Sequence, residues 1–274
     1  MAHYIEVEPY VNLYVEDIGS GPVVLFLHDW PLNHSMFEYQ MSSLSRAGYR
    51  CIAIDMRGFG RSDAPASGYS YNRLADDVRA VIDHLQLQNV ALVGFSVGGA
   101  IAVRYMARHA QHAVTRLALL GAAAPCFTQR PDYPHGMTQA EVNEQIAAVQ
   151  EDRPQMLRDF GELFLAQGEG AREVSPAFTD WLHQLGLEAT PWGTIGVAEA
   201  LRDEELFDDL AAITVPTTIF QGKLDQICPP AFAERLHEGI DGATTVTFEH
   251  SGHGMLFDEP EAFDEALLNF LQHE

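Results

Sequence analysis

Apolar residues along this chain fall into short unbroken runs, and the runs alternate with stretches of helical spacing. Residues 4–8 and 11–16 alternate polar with apolar in the manner of two edge strands, and Gly19-Ser20-Gly21-Pro22 then turns the chain into the fully apolar run 23–27. That run has no polar face to show to water, which predicts a buried central strand. A helix-like segment around 37–46, ending at Ala47-Gly48, leads to a strand over 50–55. Within 71–87, Leu74, Val78, Val81, Ile82 and Leu85 recur at helical spacing, and a strand over 89–94 follows. The series continues with a helix over 96–108 and a strand over 115–120. After an interruption come a strand over 217–221, a helix over 230–238, a strand over 244–249 and a last helix from about 259 to 271. Such alternation predicts an α/β fold, with a mostly parallel sheet covered by helices on both faces.

The interruption, 122–201, holds no convincing strand. Thr138 and Glu141 form a capping box ahead of Val142, Ile146 and Val149, while Asp152-Arg153-Pro154 and Ser175-Pro176 read as two further helix starts. These helices are expected to make a cap inserted after the sixth strand, over a core built from 1–121 and 202–274. The cap's rings, Phe160, Phe164, Phe178, Trp181 and Trp192, read first as packing, with some of them facing a site below.

The candidate chemistry starts at Gly94-Phe95-Ser96-Val97-Gly98, between a predicted strand and a predicted helix. A serine there occupies a strained turn that lifts its hydroxyl clear of the backbone. A serine hydroxyl is a poor nucleophile at neutral pH, so it needs a base, and the base needs a carboxylate to orient it. In the order serine, acid, histidine, the acid should follow a late strand, where Gly222-Lys223-Leu224-Asp225 offers Asp225. Asp209, in a helical pattern, and Asp241, in a turn at the other end of the sheet, compete poorly. The last strand ends at Glu249-His250-Ser251-Gly252-His253-Gly254, and flanking glycines suit His253 to a loop tip over the sheet; His250 reads as structural. Oxyanion donors are expected from the backbone N–H of Val97 and, in the loop after residue 27, of Trp30, since Pro31 has no N–H.

Composition narrows the partners. The net charge is −23, with 39 acidic residues against 16 basic ones, of which Lys223 alone is lysine. Such a surface repels nucleic acid and anionic membranes, and it is also what a salt-adapted protein carries. No run of 18 apolar residues and no apolar signal core near the N-terminus is present, and Cys51, Cys126 and Cys228 have neither metal nor disulfide spacing. A protein of the reducing cytoplasm with buried free thiols is expected. A homo-oligomer stays open.

Taken together, the serine elbow, His28-x-Trp30-Pro31, Asp55-x-Arg57-Gly58-x-Gly60-x-Ser62, Gly222-x-x-Asp225 and Gly252-His253 resemble the α/β-hydrolase fold. Within it, the 57–63 segment, Gly94-Phe95-Ser96 and the cap entry at 130–136 are similar to bacterial aryl esterases and cofactor-free haloperoxidases, or perhydrolases. The likeness spans the chain and is weaker over 137–201. It implies an eight-stranded sheet with its second strand antiparallel, a triad of Ser96, Asp225 and His253, and no cofactor or metal. It also associates an aromatic-proline pair such as Trp30-Pro31 with peracid formation. Two positions depart from the pattern: Val97 replaces a methionine, and Asp29 replaces a glycine. A carboxylate about 6 Å from the developing oxyanion would cost roughly 2.8 kcal/mol at an effective dielectric of about 20, or about a hundredfold in rate. Asp29 is therefore expected to point away from the site, toward Arg57.

The leading expectation is a serine carboxylesterase acting on small or aromatic esters. The same triad would serve a lactonase, an enol-lactonase or a perhydrolase, and a serine at the elbow argues against chemistry that needs aspartate there. A ligand-binding protein that keeps the hydrolase pocket is the alternative from another class.

Overall fold

The computed structural model describes residues 2–166 and 172–272; Met1 and residues 167–171 and 273–274 lie outside it. Eight strands form one sheet in the order β1-β2-β4-β3-β5-β6-β7-β8. They are β1 (Ala2–Glu8), β2 (Val11–Gly19), β3 (Val23–Leu27), β4 (Arg50–Ile54), β5 (Val90–Phe95), β6 (Val114–Leu120), β7 (Thr217–Gly222) and β8 (Thr244–Phe248). β2 runs antiparallel to both of its neighbours, and every pairing from β4 to β8 is parallel. One expectation fails here. β2 is not an edge strand: it is paired on both sides, by β1 and β4, while its outward residues Asn12, Glu16 and Ile18 stay half-buried, so its alternation marks sheet position poorly.

The unbroken apolar runs become the centre of the sheet, where α/β layering buries both faces. β5 is buried along its whole length. The layers are α1 (Glu38–Arg46), α2 (Tyr71–His84) and α3 (Val97–Arg108) in the first half of the chain, with α8 (Pro230–Gly239), α9 (Met255–Asp258) and α10 (Pro260–Gln272) in the second. Buried Arg57 locks β1 to α2, with Nε and Nη2 each donating to Asp77 at 2.7 Å and Nη1 to Glu8 at 2.7 Å.

Between β6 and β7 lie α4 (Gln139–Gly161), α5 (Pro176–Leu187), α6 (Pro191–Asp203) and the short α7 (Phe207–Leu210). The capping box at Thr138 and Glu141 starts α4. α4 breaks at Asp152, whose φ of −149° and ψ of 78° leave the helix, and Asp152 Oδ1 accepts from Gln155 N–H at 3.2 Å to start a second segment with Pro154 inside it. Ser175 caps α5 through Phe178 N–H at 3.3 Å. α6 begins the same way, at Thr190-Pro191, a serine/threonine-proline signal equal to the one at Ser175-Pro176. Thr190 N–H also donates to Gly58 O at 2.8 Å and docks this helix on the core. Among the described residues no helix is long and apolar enough to cross a membrane.

Candidate active site

β5 delivers Ser96 to a sharp turn ahead of α3. Its φ of 53° and ψ of −117° are strained for an L residue, by about 1–3 kcal/mol. Four bonds hold the turn: Ser96 N–H donates to Leu120 O at 2.9 Å, and Ser96 O accepts from Gly99, Ala100 and Ala123 N–H at 2.9, 3.2 and 2.9 Å. The strand order reverses at β3, so the carboxyl ends of β3 and β5 open a crevice between them. Chain leaving β3 crosses the start of α3 so closely that a Cβ on Gly98 would sit 2.3 Å from Leu27 O and 2.6 Å from His28 O. Asp29 and Trp30 thereby come to the serine's side of the sheet.

β7 and β8 supply the other two groups. Asp225 Oδ1 accepts from the N–H groups of Ile227 and Cys228, both at 2.9 Å, which folds the loop back on itself. Its Oδ2 then meets His253 Nδ1 at 2.7 Å, and both side chains are buried. A carboxylate only accepts, so this bond puts the ring proton on Nδ1 and leaves the Nε2 lone pair free. The imidazole stacks on Phe95, centroids 4.8 Å apart, and meets the edge of Phe164 at 5.6 Å. Its loop is fixed from below: Asp258 Oδ2 accepts from Gly252 N–H at 2.8 Å and from Ala166 N–H at 3.0 Å, and Gly254 N–H donates to Phe164 O at 2.7 Å. Cys228 Sγ lies 4.0 Å from Ser96 Oγ, which closes the circuit from elbow to acid loop. Burial, and secondarily the charge of Asp225, pushes the Cys228 thiol well above its ordinary range.

Two cavities meet this arrangement. One of about 20 Å³ touches Ser96 and is lined by Trp30, Phe127, Val142, Phe160 and Ile227, room for about one water. The other, of about 530 Å³, is lined by Asp29, Pro31, Leu32, Leu157, Phe160 and Phe164 among others, so Phe160 borders both. Trp30 is anchored on the helical insertion, its ring N–H donating to Thr194 O at 2.9 Å and its face meeting the edge of Phe160 at 5.0 Å.

Asp29 does not turn to Arg57. Arg57 is paired with Asp77 and Glu8 instead, and Asp29 lines the larger cavity, 1% exposed. Burial pushes its carboxyl well above the usual range. Burial thus disfavours the very charge whose repulsion of an oxyanion argued for turning Asp29 away. Neighbouring His28 is scaffold. Its Nε2 accepts from Met56 N–H at 3.0 Å and its Nδ1 donates to Asp29 O at 2.6 Å, which fixes the neutral tautomer, and burial lowers its pKa to about 4.

A family model described as the alpha/beta hydrolase fold matches residues 22–260. This chain belongs to that family. The hydrolase is 50% identical over 270 residues to the AB hydrolase superfamily protein YisY of Bacillus subtilis, covering 98% of this chain and 99% of the relative. It superposes on an esterase from Exiguobacterium antarcticum with a TM-score of 0.96 at 49% identity, covering 100% of both chains. A bromoperoxidase from Bacillus anthracis gives a TM-score of 0.95 at 31% identity, again over 100% of both.

In the hydrolase, then, Ser96, Asp225 and His253 stand at the carboxyl ends of β5, β7 and β8, and Trp30 and Val97 flank the crevice. His250 is exposed, Asp209 lies on α7, and Asp241 precedes β8. The rings of the insertion divide: Phe160 and Phe164 face the site, Phe178 and Trp181 pack against Phe257, and Trp192 is 47% exposed with its N–H on Ala64 O. Three further residues shape the site. Cys228 abuts the serine, Asp258 ties down the histidine loop, and a Cβ on Gly121 would lie 3.2 Å from both Asp225 Oδ2 and His253 Nδ1. Gly121 alone had a signal, a glycine directly after a parallel strand. Among the described residues no three histidine, cysteine or acidic side chains gather as a metal site.

Proposed function

We propose that this hydrolase is a serine carboxylesterase that cleaves small or aromatic carboxylic esters through Ser96, His253 and Asp225. The carrying observation is the 2.7 Å bond from His253 Nδ1 to Asp225 Oδ2, made in the crevice where Ser96 is held at a φ of 53°. Ser96 Oγ attacks the ester carbonyl while His253 Nε2 takes its proton. The oxyanion of the tetrahedral intermediate accepts from the backbone N–H groups of Val97 and Trp30, neither of which donates to another described group. His253 then protonates the departing alcohol, and water repeats the sequence on the acyl-enzyme to release the acid and restore Ser96. The helices between β6 and β7 act as the lid over this site. The partner is a small ester in the cytoplasm, and the scheme uses no cofactor.

The bromoperoxidase likeness, with Trp30-Pro31 beside the site, favours a second acceptor. Hydrogen peroxide in place of water at deacylation would give a peracid from the same acyl-enzyme. The test is initial-rate hydrolysis of p-nitrophenyl acetate, butyrate, octanoate and phenylacetate by wild type and Ser96→Ala. Turnover that vanishes in the variant supports the mechanism. Wild-type inactivity, or turnover indifferent to the substitution, overturns it.

A further inference from the structure

Asp29 is a buried polar side chain without a partner. It is 1% exposed, and apart from its own backbone amide no described group hydrogen-bonds to Oδ1 or Oδ2. Leaving such a group unmatched in a folded interior costs about 1–3 kcal/mol, so its persistence calls for an explanation in function. Its surroundings supply no internal remedy. Pro31, Leu32, Leu157, Phe160 and Phe164 share its cavity and offer no side-chain donor. Two cations line the same space, but Arg158 Nη1 is turned to Asp180 at 3.3 Å and Arg172 Nη1 to Phe257 O at 2.7 Å. The site is built to hold something that brings its own hydrogen bond.

Position ties that something to substrate. Asp29 directly precedes Trp30, which lines the smaller cavity together with Ser96, and lies on the segment pressed against the first turn of α3. The cavity it lines, about 530 Å³, has the size of a small-molecule site and shares Phe160 with the smaller cavity at the serine.

Building on the serine-esterase reading, we infer that Asp29 is a specificity-determining residue that hydrogen-bonds an uncharged O–H or N–H on the part of the ester held in the larger cavity. The preferred substrates are therefore hydroxyl- or amide-bearing esters rather than purely hydrocarbon ones. A hydroxyl suits a carboxyl in either protonation state, since it donates and accepts, whereas an ammonium would have to shed its water among apolar walls. Discrimination arises because a hydrocarbon analogue leaves the carboxyl unmatched and dry.

The test compares p-nitrophenyl 3- and 4-hydroxyphenylacetate with their 3- and 4-methyl isosteres, using wild type, Asp29→Leu and Asp29→Gly. Wild type is expected to favour at least one hydroxylated ester over its isostere by about tenfold in kcat/KM, and either variant to bring that ratio within about twofold. Two ratios near one in wild type, or a preference that survives in the variants, overturn the inference while leaving the esterase reading intact. Absence of all turnover would sink the esterase reading instead, and binding then decides about Asp29. Calorimetry of the matching hydroxyl- and methyl-phenylacetones with Ser96→Ala, with and without Asp29→Leu, should show the same preference and the same loss; equal affinities overturn it.

Discussion

Cys228 Sγ rests 4.0 Å from Ser96 Oγ, at the floor of the crevice. Burial keeps this thiol protonated, so its influence on the serine is through volume. Cys228→Ala is expected to keep kcat/KM for p-nitrophenyl butyrate within about tenfold of wild type. Cys228→Met, by displacing the hydroxyl by about 1 Å, should cost about a hundredfold with the circular-dichroism spectrum unchanged.

Asp225→Asn tests the tautomer. The Ile227 and Cys228 N–H groups still require an acceptor, so the amide oxygen takes the Oδ1 position and the NH₂ faces His253 Nδ1. The ring proton moves to Nε2, where it blocks proton transfer from Ser96. A fall in kcat of about 10³–10⁴ is expected, with Tm nearly unchanged. Loss of less than tenfold would show that Asp225 does not set the histidine's state.

Gly121→Ala crowds the same bond from the third side. Its new Cβ meets Asp225 Oδ2 and His253 Nδ1 at 3.2 Å, at a φ of +44° that alanine adopts with strain. A drop in kcat of about tenfold or more is expected with KM little changed, since nothing in the substrate cavities is touched.

His28 makes stability depend on acid. Burial holds its folded pKa at about 4 against an ordinary 6.5, so below pH 6.5 the unfolded chain takes up a proton that the folded one refuses. This contribution is complete above pH 6.5 and falls away toward pH 4, by roughly 3 kcal/mol. In urea titrations the stability deficit of His28→Asn relative to wild type should narrow by about that amount between pH 7.5 and pH 4.

Asp29 works in the opposite sense. Its folded pKa is raised by burial, so the folded state holds a proton that the unfolded chain releases, and stability is lost as pH rises above the ordinary carboxyl range. Asp29→Asn should therefore gain in Tm over wild type as pH goes from 4 to 8. A constant difference across that range would mean that Asp29 ionises normally.

What the sequence made legible follows from where burial is complete. Central strands such as β3 and β5 announce themselves because both faces are covered, and a turn residue at each carboxyl end points to Ser96, Asp225 and His253 in order. β2 misled because alternation records one face at a time and says nothing about pairing at the strand's edges. The start of α6 at Thr190-Pro191 carries the same local signal as Ser175-Pro176. Cys228, by contrast, has no local signature: it reaches the serine only because Asp225 Oδ1 curls the loop behind it. Asp29 misled for an electrostatic reason, since the argument against it assumed a charge that burial disfavours.

One oxygen, Asp258 Oδ2, accepts from Gly252 beside the histidine and from Ala166 in the segment that follows α4. Placement of His253 and placement of that stretch of the insertion are thus a single mechanical variable. Anyone reshaping the insertion to alter selectivity should find the two traits inherited together: libraries randomised around Ala166 will shift turnover number along with substrate choice, and compensating changes will surface near Gly252.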